Sequence, residues 1–302
     1  MTQFNELLVK DKTIILDGGF GSELEKRAID LDNNLWSASA LIQSPDTVKE
    51  IHQDYLNSGA EILITDTYQA NPKTFTNAGI SEEQAFQLID VAVQQAKAAI
   101  KASHNSAVVA GSVGPYGAFL ANGAEYTGDY NLSNAEYKAF HRPQIARLIA
   151  NDVDLIALET LPNFEEAKAL AELLQDEFPL IDAYFSFSTE AGDHLWDGTK
   201  LSEVVAYFEP YQQIKAIGIN CTAPENILIA LGNIVPNTTK KVIVYPNAGE
   251  IYDPISKAWL TKSGPINWQQ LVPVWQEAGA DIIGGCCRTS PTDIKAIYQA
   301  AK

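Results

Sequence analysis

The three cysteines of this 302-residue chain have the side-chain type and the placement of a metal site. Cys286 and Cys287 are adjacent and follow a short apolar run and two glycines, so both thiols lie at the end of a predicted buried strand. Cys221 follows a second apolar run of the same kind. Three thiols at two strand ends, without a fourth cysteine, match a zinc site with three protein ligands and an open coordination position. An open position is typical of a metal that takes part in chemistry.

Two other interpretations of the cysteines compete with the metal site. A disulfide between Cys286 and Cys287 would join Cα atoms about 3.8 Å apart, below the usual bridging separation of about 4.4–6.8 Å, and would be strained. Buried, inert thiols are the stronger alternative, because free cysteine is among the most buried residue types. The neighbouring glycines and the matched strand ends favour the metal. Histidines are not expected to contribute ligands, because none follows a predicted strand; they are His52, His104, His141 and His194.

Carboxylates and glycines follow other predicted strands. Asp17 and Glu159 come at the ends of apolar runs, where a carboxylate can meet an amino group or a proton. Asp17 fits equally well as the N-cap of a following helix, whereas glutamate is a poor N-cap. Gly18 and Gly19 leave two backbone N–H groups without side-chain cover, an arrangement that can hold a carboxylate or can simply form a tight turn.

Aromatic residues are concentrated in residues 111–130, which are predicted to form a long loop because they contain few helix formers. Long loops in compact barrels are often binding loops, and Tyr or Phe rings can hold a cation by cation–π attraction. Trp36, in the first long connection between a strand and a helix, is a further candidate. Packing of these rings against the top of the barrel is the alternative.

Short runs rich in Ile, Val and Leu alternate with longer amphipathic stretches along the whole chain, which is typical of a parallel sheet with crossover helices. The runs are residues 13–17, 61–65, 107–112, 154–159, 181–187, 214–220, 241–246 and 281–285. Eight such units predict an α/β fold with a single (β/α)8 TIM barrel, residues 1–302 forming one domain. An open doubly wound sheet is the runner-up, but the first strand is not followed by the G-x-G-x-x-G spacing of a dinucleotide site. In a barrel, the active site lies at the carboxyl ends of the strands.

A weak internal repeat supports these units. Residues 58–63 and 278–283 each read as a helix end, a glycine cap and the start of a strand, and residues 152–156 form a looser third copy.

The net charge of −17 argues against nucleic acid or an anionic membrane as a partner, because no basic excess is present to neutralise phosphates. The charge mildly favours a cationic substrate, although solubility alone also explains it. The polar N-terminus lacks the apolar core of a secretory signal, and no run reaches the roughly 18 apolar residues that span a bilayer. Three unevenly placed cysteines do not make a disulfide framework, so a reducing, cytoplasmic location is expected.

Several blocks of the sequence resemble the homocysteine S-methyltransferases, a family of zinc-dependent (β/α)8 barrels. They are LDGGFGSELE at 16–25, GSVGPYGAFLANGAEYTGDY at 111–130, ETLPNFEEAKAL at 159–170, GINCTAPENI at 218–227, YPNAGEIYD at 245–253 and GGCCRTSP at 284–291. These blocks are spread over nearly the whole chain, and Asn-Cys followed by a distant Gly-Gly-Cys-Cys-Arg is a specific pair of motifs.

The resemblance implies that Cys221, Cys286 and Cys287 hold Zn²⁺, with the homocysteine thiolate as fourth ligand. It also implies that the amino-acid end of homocysteine is bound by Asp17, Gly18, Gly19 and Glu159. The loop blocks are most similar to the branch that uses S-methylmethionine, which predicts methyl transfer from this sulfonium to homocysteine to give methionine, with S-adenosylmethionine as another donor. Betaine as donor, or a non-catalytic zinc or redox-sensing barrel, are the alternatives. The oligomeric state is not predicted.

Overall fold

The computed structural model describes residues 2–10, 12–29, 31, 35–103, 106–253, 258–261 and 266–302. Eight parallel strands form one sheet in the order β1-β10-β7-β6-β5-β4-β3-β2. They are β1 (Ile14–Ile15), β2 (Ile62–Ile64), β3 (Val108–Val113), β4 (Leu155–Leu161), β5 (Asp182–Phe187), β6 (Ile214–Asn220), β7 (Lys241–Tyr245) and β10 (Ile282–Ile283). A parallel bridge between Leu16 and Ile62 joins the two outer strands and closes the sheet. Each of the eight predicted segments overlaps a strand, and the predicted (β/α)8 barrel is confirmed.

The first helix precedes β1, the last follows β10, and the helices between them lie in the connections from one strand to the next. They are α1 (Gln3–Leu8), α2 (Phe20–Lys26), α3 (Ala40–Gln43), α4 (Pro45–Asn57), α5 (Pro72–Asn77), α6 (Glu82–Ser103), α7 (Tyr116–Leu120), α8 (Asn134–Ala150), α9 (Phe164–Glu177), α10 (Leu201–Phe208), α11 (Ile227–Ile234), α12 (Trp268–Glu277) and α13 (Pro291–Ala300). Short 3₁₀ helices cover Trp36–Ser39, Ala124–Tyr126, Pro224–Asn226 and Val235–Asn237. None of the described helices has the length and apolar character needed to cross a membrane.

The predicted repeat at the helix ends corresponds to a shared backbone conformation. Gly59 after α4 and Gly279 after α12 have φ of 103° and 104°, and Asp152 after α8 has φ of 53°. A residue with positive φ ends each helix and turns the chain toward the next strand, which is why glycine occupies two of the three positions.

Two apolar clusters support the barrel. One lies inside the strands, and the larger one lies between the strands and the surrounding helices. Phe4 and Leu7 of α1 belong to the inner cluster, and Asn5 Nδ2 donates to Asp182 Oδ2 at the start of β5, over 2.8 Å. Helix α1 therefore closes the amino-terminal end of the barrel and leaves the carboxyl end for the site.

Two elements depart from the sequence-based expectation. Residues 111–130 were expected to be a loop, but they contain α7 and the 3₁₀ helix Ala124–Tyr126. An antiparallel hairpin of β8 (Glu250–Asp253) and β9 (Ala258–Thr261) lies outside the predicted pattern, because each of its strands is only four residues long.

Gly218 in β6 is a position where the barrel requires glycine. A Cβ atom there would lie 1.7 Å from the main-chain oxygen of Ile243 in β7, and a paired strand cannot move aside cheaply. We expect Gly218→Ala to lower the free energy of unfolding by about 3 kcal/mol or more, measured by urea denaturation. Gly232→Ala in α11 is the matched control: nothing lies within 4 Å of its added Cβ, so it should be neutral or stabilising by up to about 1 kcal/mol. Equal stability of the two variants would contradict this packing argument.

Candidate active site

The carboxyl ends of the strands surround a cavity of about 830 Å³. All seven residues predicted for the site line this cavity: Asp17, Gly18, Gly19, Glu159, Cys221, Cys286 and Cys287. Residues far apart in the chain are thus brought to one end of the barrel, as expected for a parallel barrel.

The three cysteines are free thiols and form a compact cluster. Their sulfur atoms all lie within 4.8 Å of one another, and the Sγ atoms of Cys221 and Cys287 are 3.6 Å apart. Tetrahedral zinc with Zn–S bonds of about 2.3 Å requires sulfur separations of about 3.8 Å, so the cluster fits such an ion. Within the described part of the chain, no other group of three or more His, Cys, Asp or Glu has ligand atoms this close together.

Cys221 is held in an uncommon backbone conformation, with φ of 52°. The buried side chain of Asn220 stabilises this turn: its Oδ1 accepts from the Thr160 N–H over 2.9 Å, and its Nδ2 donates to Thr160 Oγ1 over 2.8 Å. Thr160 also has positive φ, at 59°. Two strained, non-glycine residues locked by one amide are a feature that structures retain mainly at functional sites.

The cluster shares protons among its sulfurs. Hydrogen bonds from Cys286 and Cys287 hold the pKa of the Cys221 thiol well below its usual value, whereas the pKa values of the other two thiols are raised. The Tyr126 hydroxyl lies 3.2 Å from Cys221 Sγ, on the cavity side of the cluster. The three thiols therefore titrate together and not as independent groups.

Glu159 lies inside β4, whereas the sequence placed it directly after the strand. The register of β4 against β5 shifts between Leu158 and Leu161, and this irregularity accompanies the inward position of Glu159. Its Oε1 accepts from the Ser112 hydroxyl and its Oε2 from the Tyr245 hydroxyl, the latter over 3.1 Å. Burial raises the pKa of Glu159 to about 7, against the effect of these two hydrogen bonds. The carboxylate is thus positioned from two other strands and aimed at the cavity.

Asp17 is almost fully buried, with 1% of its surface exposed. Its Oδ2 accepts the Ile64 N–H of β2 over 2.8 Å, and its Oδ1 has no hydrogen-bond partner. Burial raises the pKa of Asp17 well above its usual value, and the nearby charge of Glu159 adds to the effect. The N-cap interpretation of Asp17 is wrong, because Gly19 is the N-cap of α2. A buried carboxylate with one free oxygen is suited to bind a cationic group.

Gly18 and Gly19 are required by close packing against the segment that follows β10. A Cβ at Gly19 would lie 2.6 Å from the main-chain oxygen of Cys286, and one at Gly18 would lie 2.9 Å from Thr289 Oγ1. The expectation that both N–H groups are uncovered is wrong for Gly19, whose N–H donates to Thr289 Oγ1 over 2.9 Å. The reason is that β1 and β10 are neighbours in the barrel, which brings Thr289 next to the glycine turn.

The aromatic residues divide between packing and cavity lining. Tyr116 and Phe119 pack against Phe140, with ring centroids 4.9 Å and 5.2 Å away, so the packing alternative holds for these two. Trp36 lines the cavity together with Tyr68, whose ring lies edge-on 6.4 Å away. Tyr68 is not among the aromatic residues singled out from the sequence.

The described histidines and Arg288 do not join the cysteine cluster. His141 Nε2 lies 2.7 Å from Glu166 Oε1 in a fully buried pair, and His52 is buried beside Phe20. His194 lies next to Asp193 on the surface, and His104 is outside the described residues. The Arg288 guanidinium donates to Glu25 Oε2 over 2.8 Å.

Comparison with known proteins identifies the family. A family model described as homocysteine S-methyltransferase matches residues 14–301. A homocysteine S-methyltransferase of Escherichia coli (strain K12) is 45% identical over 298 residues, which covers 96% of each chain. One from Bacillus subtilis (strain 168) is 39% identical over 311 residues, covering 100% of this chain and 98% of the relative.

Solved structures agree with the sequence comparison. The metallated form of the homocysteine methyltransferase MmuM from Escherichia coli superposes with a TM-score of 0.89 at 43% identity, over 98% of this chain and 99% of that one. An oxidised form of the same enzyme has the same TM-score. A match to the family model over residues 14–301 and relatives above 30% identity lead to one conclusion: this chain belongs to the homocysteine S-methyltransferase family.

Proposed function

We propose that this protein transfers a methyl group from S-methylmethionine to the sulfur of homocysteine, which gives two molecules of methionine. The observation that carries the proposal is the cavity in which three clustered cysteine sulfurs face two buried carboxylates, Asp17 and Glu159. The relatives named as homocysteine S-methyltransferases support the acceptor.

Cys221, Cys286 and Cys287 are proposed to hold Zn²⁺, since their separations fit a tetrahedral site with one remaining position. Bound there, zinc would lower the pKa of a coordinated thiol and so supply a nucleophilic sulfur at neutral pH. The donor set also excludes the harder cations, because thiolates favour zinc over Mg²⁺ or Ca²⁺.

Residues 1–302 are proposed to form one homocysteine-binding barrel. Within it, the amino-acid end of homocysteine is assigned to the carboxylates Asp17 and Glu159 and to the glycine turn Gly18-Gly19. Asp17 and Glu159 would accept hydrogen bonds from the ammonium group, and this contact would ionise both carboxylates despite their burial. Of the two glycine N–H groups, the one assigned to the substrate carboxylate is that of Gly18, because Thr289 occupies that of Gly19. These contacts orient the substrate so that its sulfur points toward the cysteines.

In the reaction, the homocysteine thiol releases its proton to solvent, and a new carbon–sulfur bond forms between its sulfur and the methyl carbon while the bond from that carbon to the donor sulfonium breaks. The electron pair of that bond stays on the departing sulfur, which leaves as a neutral thioether. Methyl transfer itself needs no general base, so the contribution of the protein is thiol activation and alignment of the two substrates. S-adenosylmethionine is a second candidate donor, since it is also a sulfonium.

An assay of methionine formation tests this function. Purified, zinc-analysed protein is given homocysteine with S-methylmethionine, S-adenosylmethionine or betaine, each in a separate reaction. We expect the highest kcat/KM with S-methylmethionine, loss of turnover after chelation, and recovery when zinc is added back. Turnover with betaine alone would assign the betaine reaction. Absence of turnover with any donor, at near one zinc per chain, would support the non-catalytic zinc barrel.

A further inference from the structure

The cavity contains more carboxylates than the binding of homocysteine uses. Five line it: Asp17, Glu25, Asp66, Glu125 and Glu159. The described lining includes one cationic side chain, Arg288, and it is bonded to Glu25. After Asp17 and Glu159 are assigned to homocysteine, two carboxylates without a cation remain, Asp66 and Glu125.

Asp66 is the more deeply buried of the two, with 3% of its surface exposed. It follows β2 by two residues, and the Ser37 hydroxyl hydrogen-bonds its carboxylate. Its Oδ2 is buried and has no hydrogen-bond partner. Burial raises the pKa of Asp66 to about 7, as expected for a carboxylate that lacks a counter-charge. A buried carboxylate oxygen without a partner is costly, so a cavity that keeps one is suited to a ligand that brings hydrogen-bond donors and positive charge.

Asp66 and Glu159 belong to different walls of the cavity. Glu159 is tied to β3 through Ser112 and to β7 through Tyr245. Asp66 is tied instead to Ser37 in the 3₁₀ helix Trp36–Ser39, next to the edge-on rings of Trp36 and Tyr68. A second ligand that lies against this wall leaves the contacts of Glu159 undisturbed.

We propose that Asp66 binds the ammonium group of the methyl donor and so selects sulfonium donors that are amino acids. The inference rests on the proposed methyl transfer and adds a specificity residue to it. An ammonium group offers three N–H donors, which can satisfy Oδ2, whereas a sulfonium or a quaternary ammonium group offers none. Betaine therefore leaves the Asp66 oxygen unpaired, and an unpaired buried polar group is what makes a site reject an analogue.

Glu125 is the competing anchor, because its Oε2 is also buried without a partner. It is only partly buried as a residue, and it precedes Tyr126, whose hydroxyl contacts Cys221. Glu125 is therefore assigned to the sulfonium end, near the sulfur cluster where the reacting methyl group must lie, and the ammonium end is assigned to Asp66.

The test compares S-methylmethionine with its deamino analogue, 4-dimethylsulfoniobutanoate, in which hydrogen replaces the ammonium group. For the unmodified enzyme we expect kcat/KM to be about tenfold to a hundredfold higher with S-methylmethionine. In Asp66→Asn, this ratio should fall to near one through loss of activity with S-methylmethionine, while activity with the analogue and the KM for homocysteine stay unchanged. Glu25→Gln is the control, because its carboxylate lines the same cavity but is already paired with Arg288, and it should keep the ratio.

Three outcomes would overturn the proposal. A ratio near one in the unmodified enzyme excludes an ammonium anchor altogether, and this measurement does not depend on any variant folding. A raised homocysteine KM in Asp66→Asn would place Asp66 in the acceptor site. If the ratio of kcat/KM between S-methylmethionine and its analogue fell to near one in Glu125→Gln but was kept in Asp66→Asn, the ammonium group would be assigned to Glu125. Failure of the proposed methyl transfer is distinct, since then no donor yields methionine even with the unmodified enzyme.

Discussion

Cys286→Ala is expected to lose zinc and methyl transfer together. The sulfur of Cys286 is one of three within 4.8 Å of one another, and two thiolates do not retain the ion against dilution or a weak chelator. Metal activation of the thiol contributes several kcal/mol to lowering the barrier, so kcat/KM should fall by about a thousandfold or more. Zinc per chain, measured by atomic emission, should fall from near one to near zero. Cys221→Ala should behave in the same way.

Tyr126→Phe is the matched control for the cysteine variants. It removes the hydroxyl that lies 3.2 Å from Cys221 Sγ but leaves the three sulfurs intact, so zinc should stay near one per chain. Retained zinc with full activity in Cys286→Ala or Cys221→Ala would refute the ligand assignment.

Glu159→Gln is expected to raise the KM for homocysteine about tenfold to a hundredfold while zinc stays bound. The amide keeps the shape of the side chain, with its oxygen accepting from one of the Ser112 and Tyr245 hydroxyls and its NH2 donating to the other, but it removes the charge that pairs with an ammonium group. A hydrogen bond to a charged group contributes about 1.5–3 kcal/mol, which corresponds to this range. Initial rates at varied homocysteine and saturating donor measure the effect, and an unchanged KM would remove Glu159 from the acceptor site.

The pH dependence of the same KM separates a charge effect from a packing effect. Because burial raises the pKa of Glu159 to about 7, its carboxylate is ionised above this pH and becomes neutral below it. Homocysteine binding should therefore weaken as the pH falls through about 7, and the acid-side rise in KM should be smaller in Glu159→Gln, where only Asp17, whose pKa burial also raises, is left to titrate. Parallel pH profiles of the two proteins would show that the carboxylate acts without its charge.

The sequence predicts the barrel well because its signals are local. Most strands are short runs rich in Ile, Val and Leu, and positions such as Gly59 and Gly279 mark where helices must end. The cysteines and Asp17 were found because a parallel barrel places every strand end at the same opening.

The remaining features of the site depend on contacts between strands, which the sequence does not encode locally. Tyr245 ends an apolar run and reads as core, yet its hydroxyl crosses the barrel to Glu159. The contact between Thr289 and the Gly19 N–H exists only because the first and last strands of the barrel are neighbours. The register shift in β4 around Glu159 is likewise a property of its pairing with β5.

The substrate-binding carboxylates and the metal-binding sulfurs come from different halves of the chain. Strands β1 to β4 and their loops supply the carboxylates Asp17, Asp66 and Glu159, whereas the sulfurs follow β6 and β10. If the chain were split between β4 and β5, each of the two polypeptides would carry an incomplete site. One would have the substrate-binding carboxylates and the other the metal ligands. Neither polypeptide would form methionine alone. Methionine formation would therefore measure the reassociation of the two polypeptides, without an added reporter.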